Sequence, residues 1–246
     1  MNKITLIILL FLSANRCFSQ ASSEENIFFN GNMYDICLIK IDNNELKYFD
    51  IISNNTNVEH NTLMKSINND FSFFAINASI NDSTCSPVGF FVKDYKQINP
   101  VNLNNGIGNF YLKPNGAFIV TDNEAVVCES SKINQYNKVR LGVQSGPMLL
   151  VDKVINPQFN QNSVNKYIRC GVGMYESNSG NKFIMFAISK TPITFFEFAT
   201  LFAQKYNCTN ALCLESSNCV INLPDVSDGT EFNGMNVCNY IIFKDN

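Results

Sequence analysis

The stretch "LGVQSGPMLLVDKVINPQF", Leu141 to Phe159, sets Gln144, Ser145, Gly146 and Pro147 between two apolar runs. Polar side chains and bare backbone at such a break either make an ordinary turn or stand where a ligand approaches. Three other breaks have the same form: "AINAS" (Ala75–Ser79), "SVNKYIRCGVG" (Ser163–Gly173) and "LESSN" (Leu214–Asn218). Each puts polar groups at the edge of a strand-like run, and sites form where strand ends converge.

Outward from these breaks the chain reads mostly as strands. "MYDICLIKI" (Met33–Ile41) and "ELKYFDII" (Glu45–Ile52) alternate with period two and suggest a hairpin. "FSFFAIN" (Phe71–Asn77) and "PVGFFV" (Pro87–Val92) follow, and then "NFYL" and "AFIV" on either side of the turn signal "KPNG" (Lys113–Gly116). Further runs are Ala125–Glu129, Val172–Tyr175, Lys182–Ser189 and Ala211–Glu215. Two helices are expected, a short one at Val58–Ile67 and a longer one at Thr194–Tyr206. In the second, Thr194 and Glu197 form a capping box. Phe195, Phe198, Ala199 and Phe202 fall on one apolar stripe. The expected class is α+β, a single domain with a mixed β-sheet core and a few packed helices.

The first 19 residues read as a signal peptide: Lys3, an apolar run Ile4–Leu12, then Ser13, Ala14 and Ser19. That run is far shorter than the roughly 20 residues a membrane span requires. The expectation is therefore a secreted or periplasmic chain, mature from residue 20 to 246, with no stable membrane span. Without Lys3 and Arg16 the 18 basic residues become 16 against 21 acidic ones. With no basic cluster, this balance argues against a nucleic-acid partner. Eight of the nine cysteines lie beyond residue 19, an even number that suits disulfides or buried thiols in an exported chain. Cys208, Cys213 and Cys219 are spaced by five and six, unlike a CxxC metal motif, so no metal and no cofactor are expected.

His60 is the only histidine and lies in a polar run, which reads as a solvated surface position. Any chemistry then falls to carboxylates, amides, hydroxyls and arginine. The segments "NFYLKPNGAF", "QSGPMLLVD", "INPQF", "IRCGVGM" and "NALCLE" resemble the phosphodiester glycosidase domain family, from about Tyr34 to Phe243. The resemblance implies an exported hydrolase that cleaves a sugar, such as N-acetylglucosamine, from a phosphate at the anomeric carbon. Its substrate would be a sugar-phosphate or glycopolymer. The resemblance also implies Arg169, Glu215 and Asn77 as catalytic residues, with Gln144, Ser145, Gly146, Asn165 and Ser217 binding substrate. The family pattern has Asp-Gly where this chain has Glu215-Ser216, and Gly where it has Ser79. A catalytically impaired relative that binds sugar phosphate is the alternative reading, with Glu197 and Glu176 the next acids to examine.

Overall fold

A computed structural model of the protein describes residues 22–41, 45–53, 73–215, 219–222 and 237–244. The chain enters through β1 (Ser22–Phe29) and β2 (Asn32–Lys40), then β3 (Phe49–Ser53) and β4 (Phe73–Asn77). It continues through β5 (Phe91–Lys93), β6 (Lys96–Asn99), β7 (Gly116–Val120) and β8 (Ala125–Glu129). β9 (Leu141–Ser145), β10 (Met148–Val151) and β11 (Val154–Ile155) precede the long pair β12 (Cys170–Glu176) and β13 (Lys182–Ser189). Helix α1 (Phe195–Thr200) follows, then β14 (Asn210–Glu215), β15 (Ile221–Asn222) and β16 (Asn239–Lys244).

These strands form three sheets. Seven run in the order β1-β2-β13-β12-β14-β10-β11, four in the order β15-β4-β16-β3, and five in the order β6-β5-β9-β7-β8. Every pairing among the described strands is antiparallel, so the expected mixed sheet is corrected: the fold is mostly β with few helices. The quoted stretch joins two of these sheets. β9 pairs with β5 and β7, while β10 pairs with β14 and β11, so Gly146-Pro147 carries the chain from one sheet into another.

The seven-stranded sheet is apolar on both faces. Cys37 and Ile39 of β2 face a central core shared with the other two sheets, among them Phe49, Phe74, Phe118 and Phe186. Ile36 and Leu38 face a second core under α1, with Phe198 and Phe202. That is why β2 is buried along almost its whole length, as strands covered on both faces are. Helix α1 starts as the sequence indicates: Thr194 Oγ1 accepts from the Glu197 N–H at 3.1 Å, and Glu197 Oε2 accepts from the Thr194 N–H at 2.7 Å. Beyond Thr200 it relaxes into a π-helical turn, Leu201–Lys205.

Two expected elements are corrected. β2 and β3 do not form a hairpin; β2 lies between β1 and β13, and β3 pairs with β16. The hairpin partner of β2 is β1, joined through Asn30-Gly31, both at positive φ, which is the primed turn that matches strand twist. "NFYL" is not a strand but a 3-10 turn, Asn109–Tyr111. The expected helix at Val58–Ile67, His60 and the signal peptide lie outside the described residues. Of the cysteines, Cys85 and Cys238 form a disulfide, while Cys37, Cys128, Cys170, Cys208, Cys213 and Cys219 are buried thiols.

Candidate functional site

The four polar breaks do meet. Asn77 ends β4, and its Oδ1 accepts from the Val220 N–H at 2.7 Å and from the Cys170 thiol at 3.8 Å. Cys170 opens β12 opposite Glu215, the last residue of β14. Ser145, the last residue of β9, donates through Oγ to the Leu214 carbonyl at 2.8 Å. The ends of β4, β9, β12 and β14 are thus tied into one cluster across long stretches of sequence.

Above the cluster opens a cleft of about 460 Å³ lined by Ile80, Val88, Ile107–Tyr111, Asn165, Tyr167 and Glu215. Of the expected site residues, Glu215 and Asn165 line it, and Glu215 is the one carboxylate among the described lining residues. The others lie beneath or behind. Gln144 is fully buried and all of its hydrogen-bonding capacity is used internally. Its Oε1 accepts from the N–H groups of Phe90 (2.8 Å) and Asn102 (2.9 Å). Its Nε2 donates to the Asn102 carbonyl (2.7 Å) and Ser130 Oγ (2.9 Å). The expectation that Gln144 faces substrate is therefore corrected: it anchors the segment that leads into the cleft wall. Gly146 has a packing reason, since a Cβ there would stand 2.9 Å from Asn115 Cβ and 3.0 Å from the Phe110 carbonyl oxygen. Asn77 and Ser145 are likewise engaged with protein groups, and Ser217 lies outside the described residues.

Arg169 is almost wholly buried and does not line the cleft. Its Nε donates to the Ile193 carbonyl at 2.8 Å and its Nη2 to the Asn165 carbonyl at 3.2 Å. Its guanidinium carbon lies 3.6 Å from the Phe195 ring centroid, a cation–π stack. Burial pulls its pKa down from the usual arginine value, and nearby Cys213, Cys219 and Tyr167 oppose that. The side chain remains a cation. In this position Arg169 holds Asn165 in place rather than reaching the cleft itself. Among the described residues, two buried side-chain atoms lack a hydrogen-bond partner: Arg169 Nη1 and Ser79 Oγ. Each belongs to a residue bonded to, or next to, one that lines the cleft.

Three thiols surround the backbone carbonyl of Glu215, with Cys213 and Cys219 at 3.2 Å and Cys170 at 3.9 Å. Burial pushes the Cys213 and Cys219 thiols well above their usual range. Burial thus disfavours the thiolate that a nucleophile needs, and their contacts with the Glu215 carbonyl support its position. Glu197, the alternative acid, is committed to the cap of α1 and to Lys166 Nζ at 2.9 Å.

Sequence reading missed the cleft's aromatic and aliphatic wall, namely Phe110, Tyr111, Tyr167, Ile80, Val88 and Ile107. The available signal was Ile107 held between Gly106 and Gly108 in an Asn-rich run. The profile of the phosphodiester glycosidase family matches residues 63–237, which include every cleft-lining residue. The chain belongs to the phosphodiester glycosidase family. Among its relatives, the uncharacterized protein YigE of Escherichia coli K12 is 32% identical over 143 residues, 58% of this chain and 55% of that protein. The match thus spans little more than half of YigE. The catalytic domain of zebrafish N-acetylglucosamine-1-phosphodiester α-N-acetylglucosaminidase, a structure auto-inhibited by its pro-peptide, shares the fold. Its TM-score is 0.59 at 15% identity, covering 92% of this chain and 82% of that one. A hypothetical protein from Synechocystis matches at TM-score 0.56 and 12% identity, over 92% and 63%. Against this family background, the carboxylate at the cleft is Glu215, where the family pattern read from the sequence has Asp.

Proposed function

We propose that this member of the phosphodiester glycosidase family is an exported hydrolase. It cleaves the bond between the anomeric carbon of a sugar such as N-acetylglucosamine and a phosphodiester, in envelope or extracellular glycopolymers. The observation that carries this reading is Glu215 standing as the one carboxylate among the described residues that line an aromatic-walled cleft. Glycosidases that expel an alcohol use two carboxyl groups, one of them to protonate the leaving oxygen. A phosphate leaving group needs no such acid, because its second pKa is only about 6. One carboxylate acting as base then suffices. Water bonds to the anomeric carbon and its proton passes to Glu215. The carbon–oxygen bond breaks, and the phosphate departs with the electron pair. Tyr111 and Tyr167, with Phe110 beneath them, line the cleft as aromatic surface for a sugar ring, and Asn165, held by Arg169, offers a polar contact. The apolar run behind Lys3 supports export.

The second reading is a sugar-phosphate binder without turnover, favoured by Glu215-Ser216 in place of Asp-Gly. Glu reaches one methylene further than Asp, and a misplacement of about 1 Å can cost on the order of 100-fold in rate. The test uses a chromogenic or UDP-linked α-N-acetylglucosamine phosphodiester with product analysis. Under the first reading the parent turns over, and Glu215→Gln loses about 1,000-fold or more while unfolding like the parent. Under the second the parent is inactive, and Glu215→Gln binds sugar phosphate as well or better, because a negative neighbour of the phosphate is gone. Turnover that survives Glu215→Gln undiminished would remove the carboxylate from the mechanism.

A further inference from the structure

We infer that the group on the far side of the scissile phosphate is an apolar chain, making the substrate class a glycosyl phosphodiester of a long-chain alcohol. This rests on the phosphodiester-hydrolase reading of the cleft and extends it to the aglycone. Single exposed aliphatic residues are ordinary on a protein surface and carry no meaning. Here they are not scattered. Eight large hydrophobic residues are exposed among those described, and four of them, Leu103, Ile107, Val164 and Tyr167, sit on two segments flanking the same cleft. Ile107 is 99% exposed and Val164 93%. Both segments are otherwise polar, reading "NLNNGIGN" (Asn102–Asn109) and "NQNSVNKY" (Asn160–Tyr167). Ile107 stands between two glycines: Gly108, at φ +100°, has open space around it, while Gly106 lies against the Tyr111 ring, so Ile107 projects beside that ring.

The cleft also grades inward. Phe110 is buried at its floor, while Ile107 stands at its mouth. No lysine or arginine is among the described lining residues. A sugar ring suits the aromatic floor, where its hydroxyls can reach Asn109, Asn165 and Glu215. A branched aliphatic offers no hydrogen bond to a second sugar or a nucleoside, and covering it with either would strip water from hydroxyls without replacing it. An alkyl chain leaving the phosphate across Ile107 buries apolar surface on both sides.

The experiment compares methyl, butyl and octyl esters of α-N-acetylglucosamine 1-phosphate, at concentrations where the octyl ester is monomeric. A fully covered methylene is worth about 0.8 kcal/mol, or roughly fourfold. Three covered methylenes should therefore raise kcat/KM for octyl over methyl by about 50-fold. Ile107→Ser, at a position whose exposure makes it harmless to folding, should cut that ratio by about tenfold, and Val164→Ser by less. A ratio near one in the parent, or a ratio unchanged by Ile107→Ser, overturns the inference. A preference that emerges only above the critical micelle concentration also overturns it, in favour of docking on a lipid surface. If no ester is hydrolysed, the turnover reading fails separately. The aglycone inference then stands or falls on calorimetry, with octyl phosphate expected to bind about 50-fold tighter than methyl phosphate and Ile107→Ser erasing most of the difference.

Discussion

Replacing Gln144 with methionine keeps the side-chain volume and removes four hydrogen bonds at once. The stranded partners are the Phe90 and Asn102 N–H groups, the Asn102 carbonyl and Ser130 Oγ. The bonds to Phe90 and Ser130 are buried, while those to the Asn102 backbone are only partly so, and water can take their place. A buried group left unpaired costs about 1–3 kcal/mol. Two of them give roughly 2–6, and about 4 kcal/mol is the central expectation, a large share of a typical stability of about 5–15 kcal/mol. Urea unfolding of parent and variant measures it, with the midpoint falling at an unchanged slope. The alternative role, a direct contact with substrate, would raise KM with little change in midpoint. A loss under about 1 kcal/mol together with a raised KM would refute the anchoring argument.

Phe198→Ala should cost about 3–5 kcal/mol, because the ring is fully buried, meets Phe202 edge-on at 5.2 Å and lies against Gly171. A melting temperature within a degree or two of the parent would show that the ring is not core. Arg169→Lys keeps the charge but loses the fork that holds the Ile193 and Asn165 carbonyls, so both stability and activity should fall, the former by about 2–3 kcal/mol. Unchanged unfolding with activity alone reduced would mean that Arg169 reaches substrate after all. For Glu197, burial pushes the carboxyl pKa up, but the Thr194 backbone and Lys166 outweigh it and the net shift is downward. A depressed folded-state pKa gives stability that is present above the unfolded value of about 4.3 and is lost as the pH falls through the lower folded value. The parent's advantage over Glu197→Gln should therefore be full near neutrality and vanish in acid, as pH-dependent unfolding will show; an advantage that persists in strong acid would contradict the assignment.

Legibility in the sequence followed the range of the interactions. The cap at Thr194 and Glu197 lies within four residues, and so did its signal. Strands β8 and β13 have the bounds that their apolar runs suggest. Pairing was not legible in this way. β2 and β3 are neighbours in sequence but sit in different sheets, because both edges of β2 are taken, one by β1 through the Asn30-Gly31 turn and the other by β13. β16, by contrast, carries its signal in the apolar run "YIIF". At the site, the convergence of Asn77, Ser145, Cys170 and Glu215 was foreseeable as a set of strand ends, but their orientation was not. A buried glutamine serving its own backbone and one serving a ligand look alike in sequence. Only the partners of Gln144 tell them apart.

β16 lies between β4 and β3, in the interior of the four-stranded sheet. Ribosomes deliver a chain from its N-terminus, so β3 and β4 emerge long before the strand that joins them. Until residue 244 has been made, Phe74, Ile76 and Ile51 have no Ile241 and Phe243 to pack against, and β4 carries an open edge. A message truncated shortly before Asn239 would therefore yield a product with most of its residues and an unpaired, sticky strand. Such a product is a candidate for aggregation or proteolysis, not a slightly shortened enzyme.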